Sequence, residues 1–292
     1  YYCVNPIRSR GIEKSTRQTY YPLSFGQEEF YFLNKLLPGS ASFNIHARVR
    51  LRGSIDKDAL MMTMEELLRR HDILRTRFVE KGDSVFQQVD PDPNLDWYFQ
   101  DLSTIPLPLR EEAIMNIANG EAMAGFDLAI RPPLRIRLIR TNIDEYQLLL
   151  TAHHIILDAW SVDILTRETA LFYEAFSQGR MIALRKPALQ YGDYAIWQRR
   201  EISGQLLDNL ISYWKQRLVN IKPLIIPTDR PRPSGPLGQG CQFEFQLGTR
   251  LANRIGATAR EEKTSKFVIL LCAFNLLLHR YTGEKDILVG VP

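Results

Sequence analysis

Hydrophobic and polar residues alternate in two segments of the N-terminal half, and a third segment is apolar almost throughout. Phe43–Leu51 and Leu134–Ile139 have an apolar side chain at nearly every second position, so each predicts a strand with one buried face. Tyr146–Ala152 has few polar residues and predicts a central strand of a sheet. Apolar residues at helical spacing over Asp56–His71 predict an amphipathic helix.

Breaks in this pattern divide the chain. Residues 24–37 predict a helix that begins at Ser24, because Ser24 and Gln27 have the spacing of a capping box. Residues 221–240 are dense in proline and glycine, which excludes a helix or a central strand and predicts a crossover between two lobes. We therefore expect a linker or docking segment over 1–20, an N-terminal lobe over 21–220, the crossover over 221–240, and the start of a C-terminal lobe over 241–292.

Composition and charge exclude several classes of protein. The 292 residues are 45% hydrophobic and 24% charged, which is typical of a soluble globular protein with a large core. The longest apolar stretch, Phe267–Leu278, is too short to span a bilayer and predicts a buried helix. The net charge of +4 is dispersed without interleaved aromatic residues, which argues against nucleic-acid binding. Three cysteines without metal-ligand spacing, and no signal peptide, indicate a reducing cytoplasm and no disulfide framework.

The segment His153–Trp160, HHIILDAW, has the densest grouping of chemically competent residues. It follows the predicted central strand, and loops at strand ends are where rigid scaffolds hold catalytic groups. Histidine titrates near neutral pH, so the pair can accept or hold a proton in the cell. Two structural histidines that end a strand, with Asp158 beginning a turn, explain the same pattern without chemistry. A helix is expected after Trp160, with Ser161 as its N-cap.

Two other segments have charged residues with alternative explanations. Residues 69–78, RRHDILRTRF, place basic side chains where a helix ends, which the helix dipole favours. The functional alternative is that Arg70 or Arg75 turns inward and pairs with a buried acid. Residues 191–200, YGDYAIWQRR, predict an amphipathic helix with Asp193 in its first turn.

The neighbours of Asp158 predict its partner. It follows the apolar run Ile155–Leu157 and precedes Trp160, so we expect its carboxylate to be shielded from water. A buried carboxylate without a partner is costly, and an arginine fork can hold it with two hydrogen bonds. We therefore expect Asp158 to pair with Arg75 first and with Arg70 second.

Seven segments, in order along the chain, resemble the condensation domain of nonribosomal peptide synthetases. They are PLSFGQEEFYFL (22–33), RHDILRTRF (70–78), FDLAIRPPLRIRLIR (126–140), AHHIILDAWS (152–161), YGDYAIWQ (191–198), PTDRPRP (227–233) and DILVGVP (286–292). Each match alone is weak, but together they cover nearly the whole chain. Two positions depart from the family's pattern: Ala159 replaces the glycine of His-His-x-x-x-Asp-Gly, and Asp72 replaces a glutamate.

The resemblance implies a chloramphenicol acetyltransferase-like α/β fold. In such a fold two α+β lobes of two layers form a V around a central tunnel, and here the second lobe would be incomplete. It also implies an acyltransferase that forms an amide (peptide) bond. The α-amine of an acceptor aminoacyl thioester attacks a donor acyl or peptidyl thioester, and both are carried on phosphopantetheine arms. Because the family's later motifs are missing, we expect the 292 residues alone to be inactive.

The implied partners are an upstream donor and a downstream acceptor carrier protein, with an adenylation domain adjacent in the synthetase. No metal or bound cofactor, no nucleic acid and no membrane is implied. His154 would remove or hold the amine's proton, or orient the amine by a hydrogen bond. The supporting residues would be His153, Asp158, Ala159, Arg75 and Arg70. Candidates to line the substrate tunnel are Ser24, Gln27, Trp160, Ser161, Tyr191, Asp193 and Trp197.

Three other functions fit the same motif. An epimerization domain shares the double histidine and inverts an α-carbon. A non-catalytic, condensation-like module that only recruits a partner is supported by Ala159 in place of glycine. A stand-alone acyltransferase would act on soluble thioesters. A carrier or adenylation domain downstream in the polypeptide would favour the assembly-line function over all three.

Overall fold

A computed structural model describes residues 11–16, 18–92, 95–231, 243 and 245–291. The strands are β1 (Tyr20–Pro22), β2 (Asn44–Arg52), β3 (Thr76–Lys81), β4 (Ser84–Val89), β5 (Asp96–Asp101), β6 (Leu134–Asn142) and β7 (Glu145–His153). The helices are α1 (Phe25–Leu36), α2 (Lys57–Arg70), α3 (Leu107–Met123), α4 (Ala159–Ser177), α5 (Tyr191–Glu201), α6 (Gly204–Leu218), α7 (Thr249–Glu261) and α8 (Lys266–Thr282), with a 3₁₀ turn at Asp72–Arg75. The fold is mixed α/β, as the sequence predicts.

Two sheets organise the N-terminal part. The larger sheet has the strand order β2-β7-β6-β5, with β5 parallel to β6 and the other pairs antiparallel. The smaller, antiparallel sheet has the order β1-β4-β3. β7 is an internal strand with most of its residues buried, which confirms the central strand that its apolar sequence predicts.

Helices cover both faces of the larger sheet. α2 and α4 pack against each other and share a core with β6 and β7, in which Leu60, Leu68, Leu138 and Phe172 are buried. α3 covers the opposite face with a smaller core that includes Ile114. This packing on both faces of the sheet buries most residues of β6 and β7 and fixes the end of β7, where the histidine motif begins.

The described chain separates into two compact units, one up to residue 207 and one from residue 208. In the second unit α7 packs on α8. The predicted buried helix at Phe267–Leu278 forms as α8, but Leu278 alone among its described side chains is buried, so the predicted burial is wrong. Residues 221–231 form neither helix nor strand, as expected of a crossover, while 232–240 lie outside the described residues. The functional boundaries inferred from the sequence stay predictions. Among the helices that the structure describes, none is long and apolar enough to cross a membrane.

Candidate active site

The histidine motif occupies the turn between β7 and α4. His153 ends β7 opposite Asn44 of β2, and the next backbone amide, that of His154, donates to the Phe43 carbonyl at 2.8 Å. Ile155–Leu157 are buried in the main core, whereas His154 itself is exposed. The three apolar side chains therefore anchor the loop and hold His154 at the surface.

The imidazole of His154 packs against an aromatic ring. It stacks on the Phe30 ring of α1, with ring centroids 5.0 Å apart and planes 15° from parallel. Within the described part of the chain, no side chain forms a hydrogen bond with its ring nitrogens. The stacking orients the ring, and the ring nitrogens can meet a group that arrives from solvent.

His153 has the opposite environment, because it is completely buried. Its Nδ1 accepts a hydrogen bond from the Ile155 amide at 3.0 Å, and its ring lies among Phe30, Phe43 and Phe126. Its Nε2 has no hydrogen-bond partner among the described residues. Burial, and to a lesser extent the charge of His154, lowers the pKa of His153 to about 4. A neutral ring shielded from solvent supports the loop and cannot exchange a proton with a substrate.

The low pKa of His153 makes stability depend on pH. Since the unfolded side chain titrates near 6.5 and the folded one near 4, the unfolded state binds the extra proton between these values. The contribution of His153 to the free energy of unfolding is intact above pH 6.5. It is lost as the pH falls from 6.5 to 4, which lowers the free energy of unfolding by about 3 kcal/mol in total. We expect His153→Gln to flatten the dependence of unfolding free energy on pH in this window, as measured by urea denaturation. His279→Gln, at an exposed position, is the control, and an unchanged slope in His153→Gln contradicts the prediction.

Asp158 is the N-cap of α4. Its Oδ1 accepts hydrogen bonds from the backbone amide of Ser161, at 2.7 Å, and from the Ser161 hydroxyl. The bond from the hydroxyl is the main cause that lowers the pKa of Asp158. The prediction of Ser161 as the N-cap is therefore wrong, because the N-cap lies three residues earlier and the helix begins at Ala159.

The predicted ion pair between Asp158 and an arginine is also wrong. Asp158 is exposed, and Trp160, which was expected to shield it, is 80% exposed. The physical reason is that a helix N-cap satisfies its carboxylate locally, through amides at the start of the helix. The apolar run before Asp158 turns into the core, while the residues after Leu157 turn outward.

Both arginines turn inward, as the functional alternative predicts, but they bind other acids. Arg75 is buried and donates to the Asp72 carboxylate and to the Asp90 carbonyl. The Nε of Arg70 donates to both carboxylate oxygens of Glu168 on α4, at 2.9 and 3.0 Å. Arg75 therefore braces the turn after α2, and Arg70 braces the packing of α2 on α4.

Two of the predicted tunnel residues, Ser24 and Gln27, are buried instead. They form the predicted capping box of α1. The side-chain Nε2 of Gln27 donates to Oε1 of Gln87 at 3.0 Å and to the carbonyl of Ile155 at 3.4 Å. Gln27 therefore ties α1 to the loop that holds His154, and its side chain is not available to a substrate.

The α5 candidates divide in the same way. Asp193 is buried and accepts from the amide and hydroxyl of Ser15, so it anchors residues before β1 instead of lining a tunnel. Trp197 is half-buried. Tyr191 is 37% exposed, and its hydroxyl bonds Ser24 at 3.0 Å. Burial is the main cause that raises the pKa of Tyr191, and Tyr194 and then Asp158 raise it further, while the bond with Ser24 lowers it. The candidates that the structure leaves exposed are thus His154, Asp158, Ala159, Trp160 and Tyr191, while Ser161, like Trp197, is half-buried.

Gln190 is a supporting residue that the sequence does not single out. Its Oε1 accepts from the Asp72 amide at 3.0 Å, and its Nε2 donates to the Arg70 carbonyl at 3.0 Å. It therefore joins the turn after α2 to the start of α5, across 118 to 120 residues of chain. A glutamine before a helix has no pattern that indicates such a contact. In the described residues, no group of histidine, cysteine, aspartate and glutamate side chains is arranged to hold a metal ion.

Comparisons with known proteins show the family of the chain. The family profile described as "Condensation domain" matches residues 17–292. The chain is 38% identical over 280 residues to a linear gramicidin synthase polypeptide of Brevibacillus parabrevis, covering 95% of this chain and 6% of that protein. It is 37% identical over 272 residues to phosphinothricin tripeptide synthetase PhsB of Streptomyces viridochromogenes, covering 93% and 23%. The chain therefore spans a small part of these synthetases.

Solved structures confirm the fold class. The X-domain from teicoplanin biosynthesis has a TM-score of 0.81 and is 26% identical, with 95% of this chain and 61% of that chain covered. The starter condensation domain of rhizomide synthetase RzmA has a TM-score of 0.70 at 19% identity, with 92% and 60% covered, which is a likeness of fold. These likenesses confirm the chloramphenicol acetyltransferase-like class predicted from the sequence motifs. By its family match, its ordered motifs and its fold, the chain belongs to the condensation-domain family of nonribosomal peptide synthetases.

Proposed function

We propose that this chain contributes the catalytic histidine for amide formation between two carrier-bound thioesters. The observation that carries the proposal is the contrast between the paired histidines. His153 is buried and neutral, whereas His154 is exposed, oriented by Phe30 and without a hydrogen bond from any described side chain. The proposed partners are a donor carrier protein, an acceptor carrier protein and an adjacent adenylation domain.

In the proposed reaction the acceptor's α-amine attacks the carbonyl carbon of the donor thioester. The new C–N bond forms, the C–S bond breaks, and the donor's pantetheine sulfur leaves as the thiol. His154 accepts the proton that the amine loses and passes it to the departing sulfur, or orients the amine by a hydrogen bond. Alignment of the two carrier-bound groups supplies much of the rate, because it replaces an encounter in solution. The domain itself binds no cofactor in this proposal.

The test is a single-turnover assay with both carrier proteins loaded. The 292-residue chain and a longer synthetase polypeptide with this domain are both assayed, because the chain spans only 6% and 23% of the two synthetases compared above. Mass spectrometry of the acceptor arm should show the amide product with the longer polypeptide. Deuterium incorporation at an α-carbon without amide formation would instead support epimerization.

A second candidate is a recruitment module without chemistry. The X-domain likeness favours it, because one solved structure of that domain is a complex with OxyB, and Ala159 departs from the family's glycine. A folded synthetase that forms no amide and exchanges no α-proton would support recruitment over condensation.

Ala159 itself is expected to be compatible with activity. It is the first residue of α4, and positive φ among the described non-glycine residues is confined to Asn220 and Lys263, so alanine is unstrained at this position. We expect Ala159→Gly to keep the single-turnover rate and to lower the unfolding free energy by about 0.5 kcal/mol, because glycine loses more backbone entropy. A loss of rate would show that the alanine methyl packs on a necessary group. A large gain would show that the native residue impairs the site.

A further inference from the structure

Two buried polar atoms lie on facing residues of β2 and β7, where the histidine motif begins. One is Nε2 of His153, and the other is Oδ1 of Asn44, the first residue of β2. Neither atom has a hydrogen-bond partner among the residues that the structure describes. Buried polar groups in proteins are nearly always satisfied, by protein or by ordered water. These two atoms therefore call for a partner.

The strand register brings the two side chains together. Asn44 is directly opposite His153 in the β2–β7 ladder, so both side chains lie on the same face of the sheet. The backbone amide of His153 donates to the Pro133 carbonyl at 3.0 Å, and its carbonyl accepts from the Ile156 amide at 3.1 Å. Neither group bonds across to Asn44, so this is a non-hydrogen-bonded pair. In such pairs the Cα atoms are only about 4.5 Å apart and the side chains are close.

The local hydrogen bond of His153 fixes which ring nitrogen carries the proton. Nδ1 accepts from the Ile155 amide at 3.0 Å, so Nδ1 has no proton of its own. Burial is the main cause that lowers the pKa of His153 to about 4, so the ring is neutral at physiological pH. The single ring proton is therefore on Nε2, and Nε2 is a hydrogen-bond donor.

The side-chain amide of Asn44 is oriented in a complementary way. Its Nδ2 donates to the carbonyls of Ala122 and Ala124, both at 2.9 Å. A flipped amide would direct its oxygen at these two carbonyls, so the nitrogen must face them and Oδ1 must face away. Oδ1 is an acceptor, and the donor on the residue opposite is Nε2 of His153. The two atoms form no direct hydrogen bond with each other.

We propose that one buried water molecule bridges the two residues, accepting from Nε2 of His153 and donating to Oδ1 of Asn44. Buried waters typically join polar groups that lack a protein partner, and each makes two to four hydrogen bonds. The His153 ring is completely buried and lies among Phe30, Phe43 and Phe126, so the bridge is shielded from bulk solvent.

The bridge makes Asn44 a positioning residue for the histidine motif. It holds the His153 tautomer whose Nδ1 binds the Ile155 amide, and Ile155 directly follows His154 in the loop. Asn44 also ties the start of β2 to the end of α3 through its Nδ2. The effect on the rate rests on the proposed function, whereas the water site does not.

Nuclear magnetic resonance of the 292-residue chain with ¹⁵N-labelled histidine tests the water site at neutral pH. Long-range correlations between ring protons and nitrogens identify each tautomer, and His153→Gln identifies the signals of His153. We expect the proton on Nε2 and a cross peak between this proton and water. A bound water gives cross peaks of opposite sign in laboratory-frame and rotating-frame spectra, whereas proton exchange gives the same sign in both.

Two substitutions separate the acceptor of Asn44 from its donors. Asn44→Leu and Asn44→Asp both lose the bonds from Nδ2, but only aspartate keeps an acceptor opposite His153. We expect the water cross peak to be lost in Asn44→Leu and kept in Asn44→Asp. Asn116→Leu, at an exposed position of α3, is the control and should keep it.

Single-turnover assays of the synthetase with loaded carriers test the positioning role. Asn44→Leu should lower the rate at least about tenfold, because a small misplacement of a catalytic group is costly. Asn44→Asp should restore most of the rate, although it lacks the same donors as Asn44→Leu. Equal losses in the two variants would contradict the positioning role, because the loss would then come from the bonds of Nδ2.

Three results would overturn the water site: a proton on Nδ1 of His153, no cross peak to water in the wild-type chain, or a cross peak that persists in Asn44→Leu. The first two come from the wild-type chain, so they decide the matter even if a variant of Asn44 does not fold. A water cross peak in a synthetase that forms no amide would count against the proposed function alone.

Discussion

His154→Ala should lower the single-turnover rate of amide formation by about 10² to 10⁴, which is the usual contribution of a positioned acid–base group. The ring is exposed and stacks on Phe30, so its removal takes away the one imidazole of the motif that a substrate can reach. The thermal midpoint should change little, because exposed substitutions usually alter stability by less than about 0.5 kcal/mol. The measurement is product on the acceptor arm against time, in the synthetase with loaded carriers.

Two variants make this result specific. His279→Ala removes an exposed histidine in the second unit and should keep the rate. His154→Gln retains a hydrogen-bonding side chain but cannot take a proton at neutral pH. If His154→Gln recovers part of the rate that His154→Ala loses, His154 orients the amine. If both variants lose the same rate, His154 transfers the proton. A rate near wild type for His154→Ala would contradict the proposed function.

Glu168→Ala should lower the unfolding free energy by about 3 kcal/mol, the lower end of the range for breaking a largely buried ion pair. Both oxygens of Glu168 accept from Arg70, and one also contacts His71 Nε2 at 2.6 Å. The substitution leaves the Arg70 guanidinium with the carbonyls of Leu184 and Arg185 as partners in place of a carboxylate. Urea denaturation followed by far-ultraviolet circular dichroism measures the change.

The controls for Glu168→Ala separate charge from packing. Glu174→Ala removes an exposed glutamate from the same helix and should have little effect. Glu168→Gln keeps an acceptor for Arg70 without the charge and should lie between alanine and wild type. An unfolding free energy of Glu168→Ala equal to that of Glu174→Ala would show that the Arg70 pair does not stabilise α4. Amide formation should fall with stability in Glu168→Ala, because α4 begins at the N-cap that ends the His154 loop.

Elements around the site follow from local patterns in the sequence. The alternation over Phe43–Leu51 corresponds to β2, and the apolar run at Tyr146–Ala152 lies within β7. The capping box of Ser24 and Gln27 is also confirmed. Strand periodicity and helix caps depend on residues a few positions apart, so a single sequence contains the information they need.

The surroundings of Asp158 show where local patterns fail. Apolar neighbours on both sides indicated burial, yet the N-cap geometry turns Asp158 and Trp160 outward while Leu157 stays in the core. In a turn between a strand and a helix, neighbouring residues do not lie on one periodic face. The burial of one residue therefore does not predict the burial of the next. Capping by Asp158 would have been the better prediction from the residues, because aspartate is a strong N-cap.

The partners of the inward arginines could not have been predicted from one sequence. Arg70 meets Glu168 across 98 residues, and Gln190 meets the Asp72 amide across 118. Such pairs depend on how the helices pack, and a charged residue on an amphipathic helix has no local sign of its partner. The sequence therefore predicts that an arginine turns inward, but the acid that receives it emerges from the tertiary structure.

The contact between Ser15 and Asp193 bears on how such domains can be recombined. Asp193 is buried, and it caps α5 through the Gln190 amide while it accepts twice from Ser15. A chimeric junction placed between Ser15 and β1 would strip two donors from this carboxylate and leave it poorly solvated inside the fold. Hybrid synthetases that exchange this domain should therefore be joined upstream of Ser15, so that the segment before β1 travels with the helix it anchors.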